Sequence, residues 1–174
     1  MDTLVNVIDY LQPGRYGRAM DDVAVPALLR GARRTYGSAV RAALAEVGCD
    51  DVPDNGSFLI GGIARGGSPL SGIIRELGVS KQAAGRLVDT LVLRGYLERS
   101  PDPDDRRRMT VTLTDRGRLA ADASRRAVRT VDAELTARVG AERVEQARTV
   151  LVAMVAMGSD RAGRPPGSAP VRPG

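Results

Sequence analysis

Two stretches of this 174-residue chain carry side chains whose types and spacing can do chemistry. The first runs Ser80-Lys81-Gln82-Ala83-Ala84-Gly85-Arg86-Leu87-Val88-Asp89. At about 100° per residue, Ala83, Ala84, Leu87, Val88 and Leu91 share one helix face. Gln82, Gly85, Arg86 and Asp89 fall opposite, with Lys81 at the leading edge. Gln and Arg make bidentate hydrogen bonds to adenine and guanine edges, each worth about 1–3 kcal/mol of discrimination. Gly85 removes side-chain bulk, so a groove can approach the backbone. Asp89 repels phosphate, and its expected task is to orient Arg86 or Lys81. The second stretch is Arg106-Arg107-Arg108, a run of cations with nothing apolar to cover. Such a run suits phosphates or the negative potential of a narrow minor groove.

These residues need elements to hold them. Leu70, Ile73, Ile74 and Leu77 repeat at helical spacing, and Gly78 tolerates a left-handed cap. After Val79, Ser80 is a good N-cap for the second helix, which ends at Arg94-Gly95. Tyr96 to Arg99 reads as a strand, and Met109, Val111 and Leu113 alternate with threonines as a half-buried one. Pro101 and Pro103 cannot donate to a ladder, so Ser100 to Arg108 is expected to protrude as a loop. Ser68 to Leu70 is a candidate for a small third strand. Helix, turn, helix and basic hairpin, in that order, describe a winged helix-turn-helix.

At S-K-Q-A-A-G-R-L-V-D-T-L-V-L-R-G-Y-L (Ser80 to Leu97) and D-P-D-D-R-R-R-M-T-V-T-L-T-D-R-G (Asp102 to Gly117), the chain resembles the MarR family of bacterial transcriptional regulators. The resemblance implies a homodimer whose N- and C-terminal helices interlock, bound to double-stranded DNA at a pseudo-palindromic operator, usually as a repressor. It places Lys81, Gln82, Gly85 and Arg86 in the major groove and Arg106, Arg107 and Arg108 at the minor groove or its phosphates. Asp105 with Arg107 matches the family's D-x-R element, in which the acid orients the arginine. Where the family often has a small hydroxyl residue this chain has Gly85, so a contact from that hydroxyl is not expected. Small phenolic or lipophilic effectors bind between the dimer helices and the winged domain in such proteins, which makes Tyr36 and Phe58 candidate pocket residues.

Composition narrows the alternatives. Net charge is +5 and the pI is near 10.1, favouring polyanionic partners, although Lys81 is the only lysine among 26 basic residues. Aromatic content is 3%, so the core must be aliphatic. With no histidine, a single Cys49 and no Gly-x-x-x-x-Gly-Lys loop, neither an enzyme nor a bound metal or cofactor is expected. Gly61-Gly62 and Gly66-Gly67 lack the pattern of a phosphate cradle, and Gly66-Gly67-Ser68-Pro69 reads more simply as a turn. The longest apolar run, Val150 to Met157, is too short to span a bilayer. With no secretion signal, the expected location is the cytoplasm. Cys49 follows a helix C-terminus, which does not lower a thiol pKa, so a plain loop cysteine is favoured over a redox sensor. A winged helix serving a protein partner is the other class, but it would not need the Gln82/Arg86 pair and a basic wing together.

The expected architecture is mainly α with a small β-wing. Residues 1–22 form an N-terminal arm and 23–157 the MarR-like domain. Within that domain the winged helix-turn-helix occupies about 54–113, between dimerisation helices at about 23–48 and 115–157. A helix of about ten residues is expected from Asp54. The helix after the wing carries Leu119, Ala123, Ala127, Val131 and Leu135 every four residues. A last helix from Ala141 to Met157 carries Val144, Ala147, Leu151 and Met154. Residues 158–174, rich in Gly and Pro, should be disordered.

Overall fold

A computed structural model describes residues 24–66, 69–101 and 109–162. The N-terminal arm (1–22), the tail from Gly163 and the wing residues Asp105, Arg106, Arg107 and Arg108 lie outside the described residues. Six helices and a two-stranded antiparallel sheet are described: α1 (Val25–Glu46), α2 (Gly56–Arg65), α3 (Leu70–Leu77), α4 (Lys81–Leu93), β1 (Leu97–Pro101), β2 (Met109–Leu113), α5 (Asp115–Val139) and α6 (Ala141–Ala162). The mainly helical class with a small wing is the one the sequence implies. The chain divides into two compact units, Met1–Val128 and Arg129–Gly174.

The first unit holds the aliphatic core. Leu59 and Ile60 of α2, Ile73 of α3, Val88 and Leu91 of α4, Leu97 and Leu113 of the sheet, and Tyr96 are all buried. From α1 only Val40 and Leu44 are buried, whereas Val25, Leu28 and Ala32, at its N-terminal end, are exposed in the single chain. Gly48, at φ +69, ends α1, and the Cys49 amide donates to the Leu44 carbonyl, turning Cys49 inward. Cys49 lies in the loop after α1, as expected from its position, but is packed into the core at 1% exposure. The helix expected from Asp54 begins at Gly56 after Asn55, whose left-handed φ of 64° an asparagine tolerates. A Cβ on Gly62 would come within 2.6 Å of Ile73 Cγ2, so this glycine lets α2 and α3 approach closely.

Three further boundaries differ from the sequence reading. Leu70 opens α3 instead of adding a third strand. Strand β1 starts at Leu97 and reaches Pro101, which pairs with Met109 at the end of the ladder, a position where a missing N–H is tolerated. Helix α6 continues past Met157 to Ala162, because one glycine costs only about 1 kcal/mol in a helix interior. The stripe expected on α5 is buried at Ala123 and Ala127 but open at Leu119 and Leu135, and the buried face is wider than the stripe. Small residues, Gly117, Ala120, Ala121, Ala123, Ser124 and Ala127, are buried, while Leu119 is 45% exposed.

In the second unit, the C-terminal part of α5 and α6 leave apolar side chains open. Val150, Leu151, Val152, Met154, Val155 and Met157 are all exposed. Among the described residues no helix is long and apolar enough to cross a membrane.

Candidate nucleic-acid interface

The sequence builds α4 as a two-faced rod with a fixed start. Ser80 stays extended and its Oγ accepts from the Ala83 amide at 3.2 Å, satisfying a donor that the helix itself cannot. Gly78, at φ +70, ends α3 just before it. Ala84, Val88 and Leu91 anchor the inner face in the core. That rotation leaves Lys81, Gln82, Gly85 and Arg86 exposed on one side, as the spacing requires. Among the described residues, the side chains of Lys81, Gln82 and Arg86 make no hydrogen bond or ion pair. A Cβ on Gly85 would meet nothing within 4 Å, so no protein neighbour requires a glycine there.

Asp89 has a different partner from the one its helix neighbours suggest. It pairs with Arg99 of β1, not with Arg86 or Lys81. The pair joins the helix to the wing strand and neutralises the one acid on the outer face. Strands β1 and β2 pair Leu97 with Leu113 and Arg99 with Val111, and the ladder runs to the Pro101–Met109 pair.

The turn leaving α4 is held by a cluster that sequence reasoning missed. Tyr96 is fully buried, and its hydroxyl donates to the Asp51 carboxylate. Arg116, in the first turn of α5, stacks 4.4 Å from the Tyr96 ring centre and donates to Asp51 Oδ1 at 2.9 Å. The same guanidinium donates to the carbonyls of Arg94 (2.6 Å) and Gly48 (3.3 Å), and Arg94 donates to the Asp51 carbonyl. The Tyr96 hydroxyl, with the attraction of Arg116 behind it, holds the Asp51 carboxyl below the usual range. Burial and the Asp51 carboxylate push the Tyr96 phenol well above its ordinary value. Thr114 caps α5 by accepting from the Gly117 amide at 3.0 Å, and a Cβ on Gly117 would lie 2.0 Å from the Tyr96 carbonyl oxygen. The close backbone packing expected at Gly117 is thus present.

A shallow cleft of about 400 Å³ opens between α2, β2 and α5, lined by Ile63, Ala64, Thr112, Leu113, Arg118 and Arg125 among others. Tyr36 and Phe58 do not line it. Tyr36 is half-buried, and Phe58 is 39% exposed rather than packed in the core. Among the described residues no group of His, Cys, Asp and Glu is arranged to hold a metal.

A capped helix presenting an open polar face, preceded by a short helix and followed by an antiparallel wing, makes this a winged helix-turn-helix protein. Its fold is that of the MarR-family transcriptional regulators: the MarR family model matches residues 52–108. A crystal structure of a probable transcriptional regulator from Pseudomonas aeruginosa is similar at 25% identity and a TM-score of 0.58, covering 78% of this chain and 98% of that one. MepR of S. aureus, solved as a DNA complex, is similar at 18% identity and a TM-score of 0.63, covering 78% and 99%. Wild-type MarR of E. coli, in its apo form, is similar at 22% identity and a TM-score of 0.54, covering 76% and 97%. At their identities the last two likenesses speak for the fold alone. No curated protein matches the sequence.

Proposed function

We propose that this chain is a ligand-responsive DNA-binding repressor that occupies a pseudo-palindromic operator as a homodimer in the cytoplasm, and that it is not an enzyme. The observation that carries the reading is the outer face of α4. Lys81, Gln82 and Arg86 stand exposed, with no side-chain partner among the described residues, on a helix whose inner face and first turn are fixed. Exposed, unpaired hydrogen-bonding groups on a rigid element are what base readout needs. The Arg106–Arg108 run, with Asp105 orienting Arg107, supplies phosphate or minor-groove contacts in this reading.

Apolar surface supports the dimer. Val25 and Leu28 on α1, and the six exposed apolar residues of α6, are more than isolated surface hydrophobics. A second copy would bury them, and light scattering at micromolar concentration should find a dimer. A small phenolic or lipophilic effector is proposed to enter a pocket that the second subunit completes, with the partly open Tyr36 and Phe58 among its lining. Burial of Cys49 shields its thiol from solvent, which favours a ligand over an oxidant as the signal.

The test is selection of duplexes from a random pool by the full-length chain, followed by gel shifts over a salt series. A two-fold-related consensus, bound more tightly than its scrambled version, is expected. Equal binding to every duplex, or none at low salt, would remove the reading and leave a protein partner for the winged helix.

A further inference from the structure

The helix proposed to read DNA is fixed at its start by Ser80, but its other end is held from outside. Leu93 to Tyr96 is a single tight turn, closed by the Tyr96 amide donating to Leu91 and the Gly95 amide donating to Val92. Three segments far apart in sequence converge on it. Gly48 and Asp51 come from the loop after α1, Arg94 and Tyr96 from the turn itself, and Arg116 from the start of α5. Arg116 gathers all three through one guanidinium, with Asp51 accepting from both Arg116 and Tyr96. Arg's planar fork suits it to fix several acceptors at once, which a lysine ammonium would not do.

Leverage gives this cluster an effect on recognition. Arg86 lies eight residues before Arg94, about 12 Å along the helix axis. A tilt of about 5° at the turn would therefore move the Arg86 backbone by about 1 Å. Bidentate base contacts tolerate little misplacement, because hydrogen bonds weaken steeply with angle and distance. Phosphate contacts made by flexible arginines are far more forgiving. The geometry points to Asp51, Arg116 and Tyr96 as positioning residues for sequence readout: they act through α4, setting the tilt of its outer face against α1 and α5. This inference rests on the DNA-binding reading.

The test uses full-length protein carrying Asp51→Asn, Arg116→Gln, the two together, and Tyr96→Phe as a milder variant that keeps the ring. Each is measured against the duplex selected by the wild type and against a scrambled duplex, with the thermal midpoint followed in parallel. Loss of the cluster is expected to weaken the selected duplex by roughly tenfold, within the range of coupling through packed networks. Binding to the scrambled duplex should change less than about twofold, since phosphate contacts dominate it. The double variant should lose no more than the worse single, because the residues act as one unit. A ratio of selected to scrambled affinity unchanged in folded variants would overturn the proposal, and so would a parallel loss on both duplexes that tracks the thermal midpoint. A wild type without preference for any duplex would remove the DNA-binding reading first, and this proposal with it.

Discussion

Gly85 and Gly117 are both helical glycines, thirty-two residues apart, and they answer to different constraints. Gly117 is buried at the start of α5, and a Cβ there would run into the Tyr96 carbonyl at 2.0 Å. Gly85 is exposed on α4 with nothing within 4 Å. The folded protein explains the first and leaves the second unexplained. In the proposed reading, a glycine that costs helix stability and serves no internal contact leaves room for a DNA groove to come close to the backbone. The turn after α4 shows what stability requires, and the outer face of α4 shows what stability does not require.

Substitution can break or sharpen this contrast. Gly117→Ala should have the largest effect, because the obstructing atom is backbone and cannot rotate away. A loss of about 3 kcal/mol, at the upper end for overpacking, is expected and would be read by chemical denaturation. A neutral outcome would show that the turn is not tightly constrained. Gly85→Ala should do the opposite to the fold, stabilising it by about 0.5–1 kcal/mol through helix propensity. The same variant should bind its selected duplex more weakly if a groove approaches the backbone there. Unchanged affinity would place the DNA elsewhere on the helix.

The smallest effect should come from pH. The Tyr96 hydroxyl and Arg116 hold Asp51 below the ordinary value of 3.8. Its contribution is therefore complete above that value and lost as pH falls through the lower, folded pKa. Tyr96 is shifted above the ordinary 10.0, so its contribution is complete below pH 10 and lost as pH rises through the folded value. Asp51→Asn should flatten the acid limb of stability against pH, measured by denaturation as pH is lowered from about 5 to about 2. An acid limb identical to that of the wild type would assign it to other carboxylates.

Local chemistry was legible in the sequence. The Ser80 cap, the Gly78 stop and the period of Ala84, Val88 and Leu91 each act within one or two turns, so spacing alone places α4 and its outer face. The alternation of Met109, Val111 and Leu113 likewise places β2. Tertiary partners were not legible. Asp51 meets Tyr96 and Arg116 across separations of 45 and 65 residues, which no local pattern records. Asp89 shows the same limit at short range. Its helical neighbour Arg86 is nearer in sequence, yet Arg99 reaches it because β1 folds back along the helix. On α5, the four-residue spacing found Ala123 and Ala127, which are buried, while Leu119 and Leu135 lie exposed. It did not find Ala120, Ala121 and Ser124, whose burial depends on partners distant in sequence. On α6, the single Gly158 was too weak a signal to end a helix.

The central claim is that the outer face of α4 reads base sequence. Arg86→Ala, titrated against the selected duplex, its single-base variants and a scrambled duplex, tests this most directly. The account predicts a loss of about 1–3 kcal/mol on the selected duplex, with preference relaxed at one position per half-site. Scrambled-duplex affinity should stay close to that of the wild type. Unchanged affinity and unchanged base preference, in a variant that keeps its fold, would contradict the claim.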